Sequence, residues 1–199
     1  NSFDYAIVFF AATAIGAIPI PASPMLTTRE VASLLQHSGA SVIAWDGGLE
    51  LPPVDRIRLL TPEDLARLRK APPAGYADSV AGDPAYLVYT SGTSGQPKGV
   101  LHAHRAVWGR RPMYDGWYGI TADDVVLHTG AFNWTYPLGT GLFDPFANGA
   151  TSIVNTGPRE PEVWPTLIRR HHATIMASVP GIYRQLLRSG FTPDRSLRH

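Results

Sequence analysis

The sequence predicts an α/β fold in which alternating βαβ units form mostly parallel sheets flanked by helices. Segments with helical and strand periodicity alternate along most of the chain, which is the pattern of βαβ units. Several strand segments are short continuous apolar runs, as in parallel sheets that are covered on both faces. The 199 residues are 44% hydrophobic, which is enough for one large core or two small ones.

The apolar stretch Tyr5–Pro21 raises the question of a membrane span or a signal peptide. It falls short of the roughly 20 apolar residues that a span needs, and Gly16 and Pro19 interrupt its second half. No Lys or Arg precedes it, unlike the start of a secretory signal. We therefore predict a buried helix over Phe3–Ala14 that leads into an extended, buried strand at Ala17–Ala22.

Capping signals place the next helices. Thr27 or Thr28 can cap a helix that ends at Gly39, and a fully buried strand is expected at Ala40–Asp46. The following stretch, residues 47–83, holds five prolines, a short strand at 56–60 and a helix that Thr61 caps. We predict two subdomains, a partial βαβ subdomain over residues 1–80 and an α/β subdomain over 81–199.

The second subdomain is predicted to alternate regularly. Its expected strands are Tyr86–Thr90, 99–102, 124–128, 150–154 and 173–178. One helix is expected to begin near Arg105, and three more are expected over 136–149, 161–172 and 180–190.

The composition excludes several classes of function. The formal net charge is +1 with 17% charged residues, so no basic surface is expected for nucleic acid or for a membrane. Cysteine is absent, which excludes a disulfide framework, a thiol nucleophile and cysteine-ligated zinc, and favours a cytoplasmic setting. The histidines lack acidic neighbours at ligand spacing, so we predict no metal site within the chain.

The segment "YTSGTSGQPKGV", residues 89–100, is the main candidate for chemistry. Its glycines allow close backbone approach, its hydroxyls donate hydrogen bonds and Lys98 adds a cation, which together suit a phosphate group. A solvated turn is the alternative. The spacing differs from the Walker loop, because no Ser or Thr follows Lys98, and from the dinucleotide fingerprint.

This segment resembles the phosphate-binding signature of the adenylate-forming superfamily, which includes acyl- and aryl-CoA ligases, peptide-synthetase adenylation domains and luciferases. Residues 1–46, 123–151 and 174–187 also resemble parts of the large N-terminal domain of that superfamily, so the resemblance covers essentially the whole chain.

The resemblance implies an enzyme that joins a small carboxylic acid to CoA through an acyl-adenylate, with ATP, Mg²⁺ and CoA as cofactors or co-substrates. It implies catalytic roles for Lys98 and Thr90, with Lys98 neutralising the leaving pyrophosphate. The implied ATP-binding residues are Thr90, Ser91, Gly92, Thr93, Ser94, Gly95 and Lys98.

The segment "HTGAFNWTYPLG", residues 128–139, is the second candidate. The resemblance implies an acyl pocket in which Trp134 lies beside the substrate carboxylate, which indicates a short or aromatic acid. Plain core packing of these aromatic residues is the alternative. The predicted pocket residues are Phe132, Asn133, Trp134, Tyr136 and Gly139.

The chain lacks the adenine-binding part and the C-terminal domain that superfamily members carry. We therefore expect a fragment of the large N-terminal domain that is inactive alone and works with the C-terminal domain of its parent protein. The alternatives are a carrier-protein-loading adenylation domain and a non-catalytic phosphate-binding α/β module.

Overall fold

The computed structural model describes residues 1–54, 56–90, 97–193 and 197–198. Its elements alternate, so the predicted α/β class is confirmed. The strands are β1 Val42–Ala44, β2 Arg58–Leu60, β3 Pro84–Thr90, β4 Lys98–Ala103, β5 Val125–His128, β6 Thr151–Ile153 and β7 Ile175–Ala177. The helices are α1 Phe3–Ala14, α2 Thr28–Ser38, α3 Pro62–Leu68, α4 Arg105–Trp108, α5 Thr135–Leu138, α6 Asp144–Ala147, α7 Val163–His171 and α8 Pro180–Arg188. Two π-helical turns cover Tyr114–Tyr118 and Gly139–Phe143. Across the described ranges, no helix combines the length and apolar content needed to cross a membrane.

Helix α2 shows why local sequence predicted these boundaries well. The Thr27 side chain accepts a hydrogen bond from the backbone N–H of Glu30, and the Glu30 carboxylate accepts one from the backbone N–H of Thr27. This reciprocal capping box satisfies two N–H groups that the helix itself leaves unpaired. Gly39 ends the helix in the left-handed conformation, where the absence of a side chain removes the steric cost.

The chain divides into two compact units. The amino-terminal unit comprises Ile7–Ser79 and Ala85–Leu101, and the carboxy-terminal unit comprises Asn1–Ala6, Val80–Pro84 and His102–His199. The strand pair that brackets the glycine-rich segment is thus grouped mostly with the first half of the chain. The subdomain boundary after residue 80 stays a prediction.

The amino-terminal unit contains two small sheets. Strands β1 and β2 pair in parallel with Val42 opposite Arg58, and β3 pairs with β4. Phe9 of α1 is buried against Tyr86 of β3, with ring centroids 5.8 Å apart.

Two predictions for this unit are wrong. The segment Ala17–Ala22 forms no strand, and β1 is not fully buried, because Val42 keeps 48% of its surface exposed. Apolar composition alone cannot tell an edge from the centre of a sheet, and among the described residues β1 pairs with β2 alone.

The carboxy-terminal unit is built on a three-stranded parallel sheet with the order β6-β5-β7. Alternate residues of β5 face opposite sides, as the two-residue period of a strand requires. Leu127 packs with Trp164 and Ile168 of α7 in one cluster, whereas Val126 packs with Tyr118 in the other. Both faces are therefore covered, and the carboxyl ends of β5 and β7 lie at the same edge.

Residues 136–149 were predicted as one helix, and the structure divides them. Helix α5 passes into the π-helical turn Gly139–Phe143 and then into α6. The helical path continues, but the wider turn shifts the side chains that follow it. Such π-turns are frequent at functional sites.

Candidate active site

The ends of the glycine-rich segment lie on paired strands. Strand β3 ends at Thr90, β4 begins at Lys98, and the two strands form one sheet. The Thr90 hydroxyl lies 3.5 Å from the Lys98 carbonyl oxygen, and the Lys98 side chain is exposed. The predicted ligands Ser91, Gly92, Thr93, Ser94 and Gly95 lie outside the described residues. The two predicted catalytic residues are therefore held at the two ends of this segment.

The carboxyl end of β3 is also tied to α2. Burial raises the pKa of the Tyr89 hydroxyl. This hydroxyl lies 2.6 Å from Nδ1 of His37, and the two rings meet edge to face. The contact fixes the residue that precedes Thr90.

The second candidate segment starts at the carboxyl edge of the three-stranded sheet. His128 is the last residue of β5, and Thr129 and Ser178 directly follow β5 and β7. The Thr129 and Ser178 hydroxyl oxygens lie 2.5 Å apart and are buried. Open α/β sheets bind ligands at this edge, because the loops there diverge and leave a crevice.

Two residues of the amino terminus clamp the predicted acid pocket. The Phe132 N–H donates to Oδ1 of Asn1, and the Phe132 carbonyl accepts from the Tyr5 hydroxyl, each at 2.8 Å. Phe132 is buried, Asn133 is half-buried and Trp134 is about half exposed. Phe132 therefore lies in the core, whereas Trp134 is accessible.

Tyr136 lies in a column of three rings. Its ring contacts the His128 ring edge to face at 4.8 Å between centroids. On another side it stacks with Trp117, at 6.2 Å and with 28° between the ring planes. His128 is buried and Trp117 is exposed, so Tyr136 separates a buried imidazole from the surface. His128 begins the second candidate segment but is not among the predicted pocket residues, and Trp117 was not predicted at all.

His128 is held tightly by its neighbours. Its Nδ1 accepts a 2.8 Å hydrogen bond from the backbone N–H of Gly130. A Cβ atom would lie 2.9 Å from the ring Cε1 if built on Gly130, and 3.0 Å from the His128 Cβ if built on Gly141. A side chain at Gly130 would therefore clash with the ring, and one at Gly141 would press on the base of the His128 side chain. Burial lowers the pKa of His128 to about 4, so the ring is neutral at neutral pH.

Gly139 was predicted to open space for the acid, and the structure shows what lies beside it. A Cβ atom built on Gly139 would lie 2.6 Å from Nη1 of Arg110. The guanidinium of Arg110 therefore fills the space that Gly139 leaves. A pocket role for Gly139 stays a prediction.

Arg110 belongs to a buried polar cluster that the sequence reasoning missed. Its Nε and Nη2 donate to the two carboxylate oxygens of Asp144, each at 2.6 Å, and the Tyr118 hydroxyl donates to the same carboxylate. Burial alone would lower the pKa of Arg110, but the hydrogen bonds to Asp144 raise it. The cluster joins the turn that ends at Tyr118 to the π-turn before Asp144. An aspartate within the apolar run "GLFDPF" was the available signal.

A model of the AMP-binding enzyme family matches residues 1–199. The chain belongs to the AMP-binding enzyme family. This membership confirms the predicted resemblance, whereas phosphate binding by residues 89–100 stays a prediction.

Two of the similar proteins are named as ligases of aromatic acids. The chain is 29% identical over 216 residues to the 3-hydroxybenzoate–CoA/4-hydroxybenzoate–CoA ligase of Thauera aromatica, and the match covers 100% of the chain and 41% of that ligase. Among solved structures, it is similar to a benzoate CoA ligase from Burkholderia xenovorans LB400, with a TM-score of 0.81, 25% identity and coverage of 96% and 41%.

The N-terminal domain of FACL13 from Mycobacterium tuberculosis shares the fold, with a TM-score of 0.86 and 24% identity, covering 100% of the chain and 53% of that structure. The chain thus spans about two fifths of the length of the two aromatic-acid ligases.

Proposed function

We propose that the chain is part of an ATP-dependent ligase that activates a small aromatic carboxylic acid and transfers it to CoA. The observation that carries this proposal is the family match over residues 1–199. The hydroxybenzoate and benzoate ligases similar to the chain support an aromatic acid as the substrate. The ring column of His128, Tyr136 and Trp117 supports the same substrate class, because flat rings pack well on flat rings.

The first half-reaction forms an acyl-adenylate. A carboxylate oxygen of the acid attacks the α-phosphorus of ATP, and the bond to the bridging oxygen of pyrophosphate breaks. Pyrophosphate leaves with the electron pair, so negative charge grows on it in the transition state. In this proposal Lys98 offsets that charge, and Thr90 donates a hydrogen bond from the opposite end of the glycine-rich segment.

Mg²⁺ would enter this site with the phosphates of ATP. Within the described ranges, no three His, Cys, Asp or Glu side chains form a metal-binding group. Mg²⁺ is commonly held by substrate phosphates and one or two carboxylates, so such a group is not required. The ion would share with Lys98 the neutralisation of the leaving pyrophosphate.

The second half-reaction forms the thioester. The sulfur of CoA attacks the acyl carbon, the bond between that carbon and the AMP oxygen breaks, and AMP leaves with the electron pair while the thiol loses its proton. We propose that the remaining three fifths of such an enzyme supplies the adenine-binding part and the C-terminal domain. The proposal includes a cytoplasmic setting, where ATP and CoA are both present.

Replacing Lys98 by alanine in the complete protein tests the proposal. The chain has one other lysine, the exposed Lys70, which provides a matched control for loss of a cation. The assay is acid-dependent exchange of pyrophosphate into ATP, with benzoate, hydroxybenzoates, and short and long aliphatic acids. Loss of a group that stabilises transition-state charge lowers rates by about 100- to 1,000-fold.

We therefore expect Lys98→Ala to reduce exchange by that factor and Lys70→Ala to leave it unchanged. Equal exchange by the two variants would overturn the assignment of Lys98. Thioester formation with CoA, compared with a carrier protein bearing a phosphopantetheine thiol, then identifies the acceptor.

A further inference from the structure

His128 carries a hydrogen-bond donor that pairs with no acceptor among the described residues. Its Nδ1 accepts from the Gly130 N–H, so in the neutral ring the proton resides on Nε2. Nε2 is buried and has no hydrogen-bond partner among the described residues. Buried donors without a partner are rare in folded proteins, and each one calls for an explanation.

The donor is held in a fixed orientation. The hydrogen bond at Nδ1 and the close approach of Gly130 leave the ring little freedom to turn. The residue is also only 3% exposed. A group that is oriented in this way keeps its geometry before a ligand arrives, which reduces the entropy lost on binding.

The location of the donor indicates what it meets. His128 ends β5 at the sheet edge where α/β proteins bind ligands, and its ring contacts Tyr136 of the aromatic column. Tyr136 covers it and is only half-buried. The His128 ring thus directly contacts a residue of the segment predicted to hold the acid.

We propose that His128 is a specificity-determining residue whose Nε2–H donates a hydrogen bond to an oxygen substituent on the ring of the aromatic acid. This inference rests on the proposed ligase function and deepens it. A ring hydroxyl matches a neutral donor, because it brings no charge into an apolar site. The carboxylate of the acid is a poor match, since burial of its charge without a cation is costly.

The test compares two acids in the complete protein. Exchange of pyrophosphate into ATP is measured as kcat/KM with hydroxybenzoate, using the 3- and 4-isomers, and with benzoate. His128→Phe keeps a flat ring of similar size and removes the donor. His128→Gln returns an N–H near the position of Nε2.

The wild-type protein is expected to prefer one hydroxybenzoate isomer over benzoate. The ratio of kcat/KM for that isomer to kcat/KM for benzoate should fall by about tenfold in His128→Phe, which is the loss of one hydrogen bond of typical strength. In His128→Gln this ratio should recover in part. Because each variant is compared with itself on two acids, partial misfolding cancels from the ratio.

Three results would overturn the inference. If His128→Phe lowers kcat/KM for both acids by the same factor, the His128 ring only fills the core or binds an internal water. If active wild-type enzyme shows no preference for either hydroxybenzoate, the donor does not meet the acid. If no acid supports exchange, the ligase proposal fails and the role of His128 fails with it, whereas the first two results leave the ligase proposal intact.

A second measurement covers the case in which His128→Phe does not fold. Nitrogen NMR of histidine-labelled wild-type protein follows the Nε2–H signal of His128 directly. A shift with the preferred hydroxybenzoate and none with benzoate is expected. Equal shifts, or none with either acid, would overturn the inference.

Discussion

Replacing Asp144 by asparagine removes the negative charge that Arg110 contacts in the interior of the carboxy-terminal unit. The Asp144 side chain is fully buried and the Arg110 side chain keeps 21% of its surface exposed. Asparagine has nearly the same shape, so the cavity and the contact with Tyr118 are largely preserved. The perturbation is therefore mainly electrostatic, and it leaves a guanidinium in a poorly hydrated site without its partner.

The magnitude follows from the burial of the pair. Removing one partner from a buried ion pair destabilises proteins by about 3–5 kcal/mol, mostly because the other charge remains unpaired. Since Arg110 keeps some contact with water, we expect about 3 kcal/mol for Asp144→Asn. The double variant Arg110→Met/Asp144→Leu replaces both charges. It should lose less stability than the sum of the losses in Arg110→Met alone and Asp144→Leu alone, because it leaves no unpaired charge.

The assay is denaturant unfolding followed by tryptophan fluorescence and circular dichroism. The midpoint should fall in Asp144→Asn with little change in slope, and the double variant should recover part of the loss. A loss below about 0.5 kcal/mol, the range of ordinary surface substitutions, would refute the reasoning, as would strict additivity of the two single changes.

Two further predictions concern His128 and its neighbours. Gly141→Ala places a Cβ 2.8 Å from Cε1 of Phe132, so it should lower the free energy of unfolding by about 1–3 kcal/mol. Gly181→Ala is the control, because the new Cβ meets nothing within 4 Å. Equal melting temperatures of the two variants would contradict this prediction. The pKa of His128 is about 4 in the folded protein and about 6.5 when unfolded, so the unfolded chain binds the proton first. Stability should therefore fall by about 3 kcal/mol as the pH drops from 6.5 to 4, at up to 1.36 kcal/mol per unit, and denaturant midpoints of His128→Phe should lack this part of the slope.

The elements that local chemistry defines were predicted closely. Helix α1 covers Phe3–Ala14 as expected, and the caps of α2 and α3 are those read from Thr27 and Thr61. Caps and turns involve residues three or four apart, so a short window of sequence contains all the interacting groups. The strand expected at Ala17–Ala22 and the buried β1 failed because sheet position depends on partners elsewhere in the chain.

The candidate site divides in the same way. Lys98 and Thr90 are predicted site residues because of a contiguous signature, and in the structure Thr90 ends β3 and Lys98 begins β4. The polar cluster of Arg110, Tyr118 and Asp144 escaped notice because each residue is ordinary in its own segment. Only their meeting makes them a unit.

The sequence by itself determined the family, the α/β alternation, most helix ends and the phosphate-binding signature, because these reside in neighbouring residues. The tertiary structure alone decided which distant groups meet. Arg110 contacts Asp144 across 34 positions, and Asn1 holds the backbone of Phe132 across 131. It also decided that His128 is a neutral, buried donor whose Nε2–H has no partner among the described residues, because burial and tautomer depend on what the folded chain packs around a side chain.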